Sequence, residues 1–205
     1  YGPIEMQPGT TRQLYLQQQQ CCVYFVPVRA DARFSIDPTP FASIDATGLL
    51  TVDSTAPGGL SFRVYADVEH GRRIVSDDVN VDTPESNPLR GSWRQTAEIP
   101  CDGSPELPVI GQPLSLQMRG GNRFEAVWLA FEIYKDYWGL YTFDRVAKRV
   151  TLGLLAANYQ PPAFRGEGTY EITGQGSERR LRLKNIWLGR PHGDTRPPGC
   201  GMVFQ

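Results

Sequence analysis

The C-terminal part of the chain alternates apolar and polar residues with a period of two. Leu181 and Leu183, for example, alternate with Arg180, Arg182 and Lys184, a pattern that predicts a strand with one buried face. Candidate hairpins turn at 119–122, 144–148 and 174–178, and GSWRQTAEI and CGMVF begin and end the series. An antiparallel meander of about eight such strands closes into a small barrel without exposed edges.

The N-terminal part predicts shorter strands that are separated by Gly, Pro, Asp and Thr. In the stretch 61–68, Phe62, Val64, Ala66 and Val68 fall on one face of a predicted strand. The candidate strands are QLYL, CVYFV, FSI, SI, LLTV, LSFRVYADV and DVNV. Seven or so short strands within this length are typical of a β-sandwich.

A polar stretch at 82–88 holds two prolines and predicts a linker between domains. We therefore expect an all-β protein of two domains, with an Ig-like β-sandwich at 1–83 and an antiparallel barrel at 88–205.

The first of these regions resembles bacterial Ig-like domains of the Big-2 type. The resemblance rests on the order PGTTRQLYL, SIDATGLLTV, APGGLSFRVYADV and DDVNV and covers roughly residues 7–82. The sequence departs from the family pattern where Arg33-Phe34-Ser35 replaces the usual Trp-Ser strand. Such modules are spacers or adhesion units of exported proteins, so the resemblance implies no catalysis.

The second region is similar to lipocalin-like small barrels of bacterial envelope proteins. Gly91-Ser92-Trp93 stands in the place of their opening G-x-W motif. This similarity implies a periplasmic, outer-membrane-associated or secreted protein.

Composition supports the β assignment, because 21 Gly and 17 Pro interrupt nearly every helical window. No apolar run approaches the ~18 residues that span a membrane.

Residues 1–85 hold six basic and eleven acidic residues, a net charge of −5, whereas residues 86–205 hold 15 basic and 11 acidic residues, a net charge of +4. Solvated surfaces account for this difference, and a basic face for an anionic partner is the alternative. The sequence contains no basic cluster interleaved with exposed aromatics, the pattern that would indicate nucleic-acid binding.

Two of the four cysteines are placed for a disulfide, which would indicate an oxidising compartment. Cys101 follows the first barrel strand and Cys200 precedes the last, and these strands are neighbours in a closed meander, so we expect a disulfide between them. The alternative is a pair of free, buried thiols. Cys21 and Cys22 are adjacent and would point to opposite faces of a strand. The sequence has no CxxC spacing of the kind that predicts a zinc site.

The densest aromatic stretch is 123–155, which contains eight rings in 33 residues. Small-ligand sites are mostly apolar with a few placed polar groups, and this stretch has that mixture. The predicted binding residues are Trp128, Glu132, Tyr134, Asp136, Tyr137, Trp138, Tyr141 and Trp187. The alternative is that the rings are core and the charges lie at the barrel rim.

Catalytic signals are sparse. Glu132 and Asp136 would share a face of a strand, as a carboxylate pair for acid–base chemistry requires. His70 and His192 lie in predicted loops and belong to no ligand set, and no G-x-S-x-G elbow is present.

We therefore expect a non-enzymatic exported binding module without a cofactor or metal. Its barrel would hold a small apolar ligand or contact an envelope or surface protein. A structural or adhesive spacer with a solid barrel is the second hypothesis, and an enzyme using Glu132 or Asp136 is the third.

Overall fold

The computed structural model describes residues 4–21, 24–27, 32–68, 72–76, 78–128, 136–191 and 193–205. Within these ranges the regular structure is β-strand, apart from one 3₁₀ turn at Gly176–Glu178. The prediction of an all-β chain is confirmed. The chain divides into two compact units, Tyr1–Pro88 and Leu89–Gln205.

The described part of the chain contains no helix that is long and apolar enough to cross a membrane.

The first unit is built from small sheets. Its strands are β1 (Ile4–Met6), β2 (Thr11–Gln13), β3 (Gln17–Cys21), β4 (Tyr24–Pro27), β5 (Ala32–Ile36), β6 (Ala42–Ile44), β7 (Leu49–Val52), β8 (Leu60–Phe62), β9 (Val64–Val68), β10 (Arg72–Val75) and β11 (Val79–Val81). They form sheets in the orders β1-β11-β8, β10-β9-β5 and β2-β7-β6, and a β3-β4 pair. The Ig-like sandwich and the Big-2 assignment stay predictions.

The predicted strand at 61–68 is divided at Arg63. Its backbone N–H donates to the Asp37 carboxylate at 2.9 Å, and its carbonyl accepts the Asp37 N–H at 3.0 Å. Strands β8 and β9 therefore belong to different sheets. Phe62, Val64 and Ala66 are buried as the alternation predicts.

The second unit is a closed antiparallel barrel of eight strands, as predicted. The strands of this unit are β12 (Gly91–Ile99), β13 (Leu107–Pro108), β14 (Ser115–Arg119), β15 (Arg123–Val127), β16 (Tyr137–Asp144), β17 (Arg149–Ala157), β18 (Glu167–Thr173), β19 (Arg180–Lys184) and β20 (Gly201–Phe204). Strands β14 to β20 pair in chain order, and β12 pairs with both β14 and β20 to close the barrel. The short β13 adds to one edge of β12.

Two irregularities shape the barrel. Between Gln95 and Ala97 the register of β12 against β20 shifts by one residue, and a second shift lies between Trp138 and Gly139 on β16. A side chain at Gly139 would stand 1.9 Å from the Gly153 carbonyl oxygen, so the close approach at this bulge requires glycine.

The two ends of the barrel differ. The turn end carries the tight β14–β15, β16–β17 and β18–β19 turns, and the loop end carries the longer β12–β14, β17–β18 and β19–β20 connections together with Trp128 and Asp136. Because the chain alternates between the ends, every second connection lies at the same end.

Candidate functional site

Aromatic rings pack against one another at the loop end of the barrel interior. The ring centroid of Tyr137 lies 5.9 Å from that of Trp128, 6.2 Å from that of Phe124 and 5.7 Å from that of Phe164. Tyr159 contacts Trp128 at 5.8 Å. These five rings, which we call the aromatic cluster, occupy the region where the sequence predicts a ligand pocket.

The hydroxyl group of Tyr137 serves the fold. It donates a hydrogen bond to the Leu188 carbonyl oxygen at 2.6 Å and is fully buried. Burial raises the pKa of this phenol well above its ordinary value, and the nearby Asp136 carboxylate adds to the effect. The hydroxyl therefore keeps its proton and fixes the β19–β20 connection against β16.

The β19–β20 connection fills the interior from the loop end. Ile186, Trp187 and Leu188 are buried. The Trp187 backbone exchanges two hydrogen bonds of 2.9 Å with Arg165, and Gly199 packs directly against its ring. This connection is therefore part of the barrel core.

A buried ion pair ties the same connection to β12. The Arg190 guanidinium donates to both carboxylate oxygens of Glu98, with an Nε–Oε1 distance of 3.0 Å. It stacks 4.9 Å from the Trp187 ring and donates to the carbonyl oxygens of Arg196 and Pro197 at 2.7 and 2.6 Å. We call Glu98, Arg190 and their partner groups the ionic clamp.

Asp194 extends the clamp. Its carboxylate accepts hydrogen bonds from Arg196 and lies 3.9 Å from Arg190. The hydrogen bond from Arg196 is the main reason that the pKa of Asp194 is lowered to about 2.

Cys101 and Cys200 also join β12 to the start of β20. Their sulfur atoms are 2.15 Å apart and their Cα atoms 4.8 Å apart, in a disulfide that the positions of the two residues predict. With the clamp, this link restrains the longest barrel connections at two points.

The predicted binding residues do not share one lining. Trp128, Tyr137, Tyr141 and Trp187 are buried in the barrel core. Trp138 lies on the outer face, because it alternates with the buried Tyr137 and Gly139. Glu132 and Tyr134 lie outside the described residues, as do His70, His192 and Cys22. The binding role of the eight residues stays a prediction.

Asp136 has a structural role of its own. Its carboxylate accepts the Trp128 backbone N–H at 2.9 Å, and its carbonyl accepts the N–H groups of Asn158 and Tyr159 at 2.7 and 3.0 Å. Asp136 thus holds two connections together, and the carboxylate pair with Glu132 stays a prediction. Among the described residues, no group of three or more His, Cys, Asp or Glu side chains is placed to hold a metal.

The outer face of β16 and β17 exposes apolar side chains. Leu140 is 44% exposed and Leu155 66% exposed, and the partly exposed Trp138 stands opposite Ala156. The alternation of β16 places Leu140 at a solvent-facing position, so the sequence alone could have predicted its exposure. The sequence pattern could not have predicted the ionic clamp, because Glu98 and Arg190 are 92 residues apart in sequence.

No protein-family model and no curated protein sequence matches this chain.

Proposed function

We propose that this chain is a non-enzymatic binding module that contacts its partner through the outer surface of the barrel. The packing of the aromatic cluster carries this proposal, because five rings contact each other in the region where the sequence predicts a pocket. The exposed Leu140 and Leu155 and the partly exposed Trp138 supply an alternative apolar surface, of the kind that protein and membrane contacts use.

The restraints on two of the loop-end connections support a passive function. Catalytic lids and ligand gates need connections that open, whereas the ionic clamp and the Cys101–Cys200 link hold the β12 and β19–β20 segments together. Three of the described carboxylates at this end, Glu98, Asp136 and Asp194, are engaged by structural partners.

We further propose an exported protein that works in an oxidising compartment, with an Ig-like first unit of the Big-2 type and a lipocalin-like barrel. The proximity of Cys101 and Cys200 supports export. A structural spacer is the second candidate, and the same packing of the rings favours it.

Titration with Nile red, a neutral apolar dye, tests the central point. A filled interior predicts no saturable one-to-one uptake, and only weak, non-saturating fluorescence from surface adsorption. Saturable one-to-one uptake with quenching of tryptophan emission would overturn the proposal if Trp138→Ala keeps it, because the outer surface would not then account for the uptake.

A further inference from the structure

The tip of the β16–β17 hairpin combines cations with a fully exposed aliphatic side chain. Val146 is 95% exposed, and its neighbours Arg145, Lys148 and Arg149 are exposed as well. Single exposed apolar residues are common on protein surfaces. The unusual feature here is that this one stands at the furthest point of a hairpin, within a run of three cations.

The fold of the tip does not depend on Val146. The Asp144 carboxylate accepts the backbone N–H groups of Val146 and Ala147 at 2.8 and 2.9 Å. The hydrogen bond from the Ala147 N–H is the main reason that the pKa of Asp144 is lowered. Lys148 adopts a left-handed φ of 54° and lies over the Tyr170 ring. These interactions hold the turn whichever side chain occupies position 146.

The neighbouring hairpin adds positive charge on the same outer face. Arg119 and Arg123 face each other directly across β14 and β15, an arrangement of like charges that destabilises a sheet. Glu125 offsets it in part, at 3.2 Å from Arg119. An anionic partner would relieve the remaining repulsion.

Cations therefore outnumber carboxylates on these two hairpins at the turn end. The cations are Arg119, Arg123, Arg145, Lys148 and Arg149, and the carboxylates are Glu125 and Asp144. The β18–β19 hairpin differs, because Arg180 and Arg182 pair with Glu106, and Lys184 lies 3.8 Å from Glu171. We call the five cations and Val146 the cationic tip.

We propose that the cationic tip docks this protein onto the surface of an anionic phospholipid bilayer. This inference goes beyond the proposed function, because the cationic tip lies at the turn end, whereas Trp138 and Leu155 lie toward the loop end. Each Lys or Arg near an anionic bilayer adds to binding, while an aliphatic side chain between the cations enters the boundary of headgroups and acyl chains. Single-stranded nucleic acid is disfavoured, since its bases stack on exposed aromatic rings and residues 144–149 contain none.

Co-sedimentation of the full chain with vesicles tests the proposal. We expect binding to phosphatidylcholine vesicles that contain about 30% phosphatidylglycerol, weak binding to pure phosphatidylcholine, and loss of binding as salt screens the charges. Arg145→Glu/Arg149→Glu should lower the partition coefficient by about 25-fold or more, because each cation contributes roughly fivefold. Val146→Asn should weaken binding several-fold without changing its dependence on salt.

The matched control is Arg12→Glu/Arg33→Glu, which makes the same change in net charge at two exposed positions of the first unit. It should lose far less binding than the tip variant, and the melting curves of all variants should confirm that they fold. Equal losses in the two double variants, or equal binding to both vesicle types, would overturn the proposal. Binding to heparin without binding to vesicles would also overturn it, in favour of a soluble anionic polymer.

The Nile red titration keeps the two proposals apart. Failure of vesicle binding with no saturable dye uptake removes the bilayer as partner and leaves the surface-binding module. Saturable dye uptake that persists in Trp138→Ala removes the surface-binding module itself.

Discussion

At the scale of single residues, the ionic clamp is the feature most sensitive to substitution. The Arg190 and Glu98 side chains are 11% and 10% exposed. Removing one member of a buried pair leaves an unpaired charge in a poorly solvated site, whereas removing both need not destabilise the fold. The clamp is therefore expected to respond very differently to single and double substitution.

Arg190→Met should lower the free energy of unfolding of the barrel by roughly 3–5 kcal/mol. Glu98→Leu/Arg190→Met should recover most of that loss. Urea unfolding followed by tryptophan emission measures both, since the four tryptophans all lie in the second unit. Lys184→Met is the control, because its ion pair with Glu171 is about half exposed and should contribute less than about 1 kcal/mol. Similar costs for Arg190→Met and Lys184→Met would contradict a buried clamp.

Asp194 predicts a dependence on acid pH. Its pKa is lowered from 3.8 to about 2 in the folded protein, so its ionised form stabilises the fold above pH 3.8, and this contribution disappears as the pH falls toward 2. Asp194→Asn should therefore lower the melting temperature by a constant amount above pH 3.8, and the difference should shrink below it. A difference that stays constant down to about pH 2 would mean that the lowered pKa is wrong.

At the scale of elements, local turn chemistry made the barrel strands predictable. Gly121 and Asn122 take left-handed φ values of 62° and 56° at the predicted 119–122 turn, where these residue types are favoured. The strands GSWRQTAEI and LLTV form with the predicted bounds. The division at Arg63 was not predictable, because it depends on Asp37, 26 residues away. The filling of the barrel by Ile186–Leu188 is equally non-local.

Two of the candidate tryptophans should respond differently to truncation, because Trp128 is buried and Trp138 lies on the outer face of β16. Trp128→Ala removes a ring that is 6% exposed and packed in the aromatic cluster, so it should cost roughly 3–5 kcal/mol. Trp138→Ala removes an outward-facing ring and should cost about 1 kcal/mol or less. Urea unfolding of the two variants provides the comparison, with three tryptophans left as reporters in each. Equal costs would place both rings in the core.

The Cys101–Cys200 link should stabilise the barrel by restricting its unfolded state. The two residues are 99 positions apart, and closing a loop of this length contributes about 4–5 kcal/mol in the chain-entropy treatment. Cys101→Ser/Cys200→Ser should therefore shift the urea midpoint strongly, and dithiothreitol should shift the parent protein but not this variant. Non-reducing peptide mapping that finds both thiols free would contradict the link.

At the scale of the whole molecule, the two units differ in net charge. Residues 1–85 carry −5 and residues 86–205 carry +4, so an anionic surface attracts the second unit and repels the first. The sequence revealed this asymmetry but not its location, because strand register decides which cations share a face. The candidate pocket could not be predicted for the same reason: burial of Tyr137 and exposure of Trp138 depend on which face of β16 closes the barrel.

The filled interior of the barrel is the central claim, and xenon tests it most directly because apolar cavities bind xenon. Amide chemical shifts of the full chain would be recorded under rising xenon pressure. We expect no saturable shifts at core positions, whereas Leu116→Ala, which removes a fully buried side chain and leaves a cavity, should show them. Saturable xenon binding around Tyr137 and Trp128 in the parent protein would contradict a filled interior, because it would show an open cavity beside these rings.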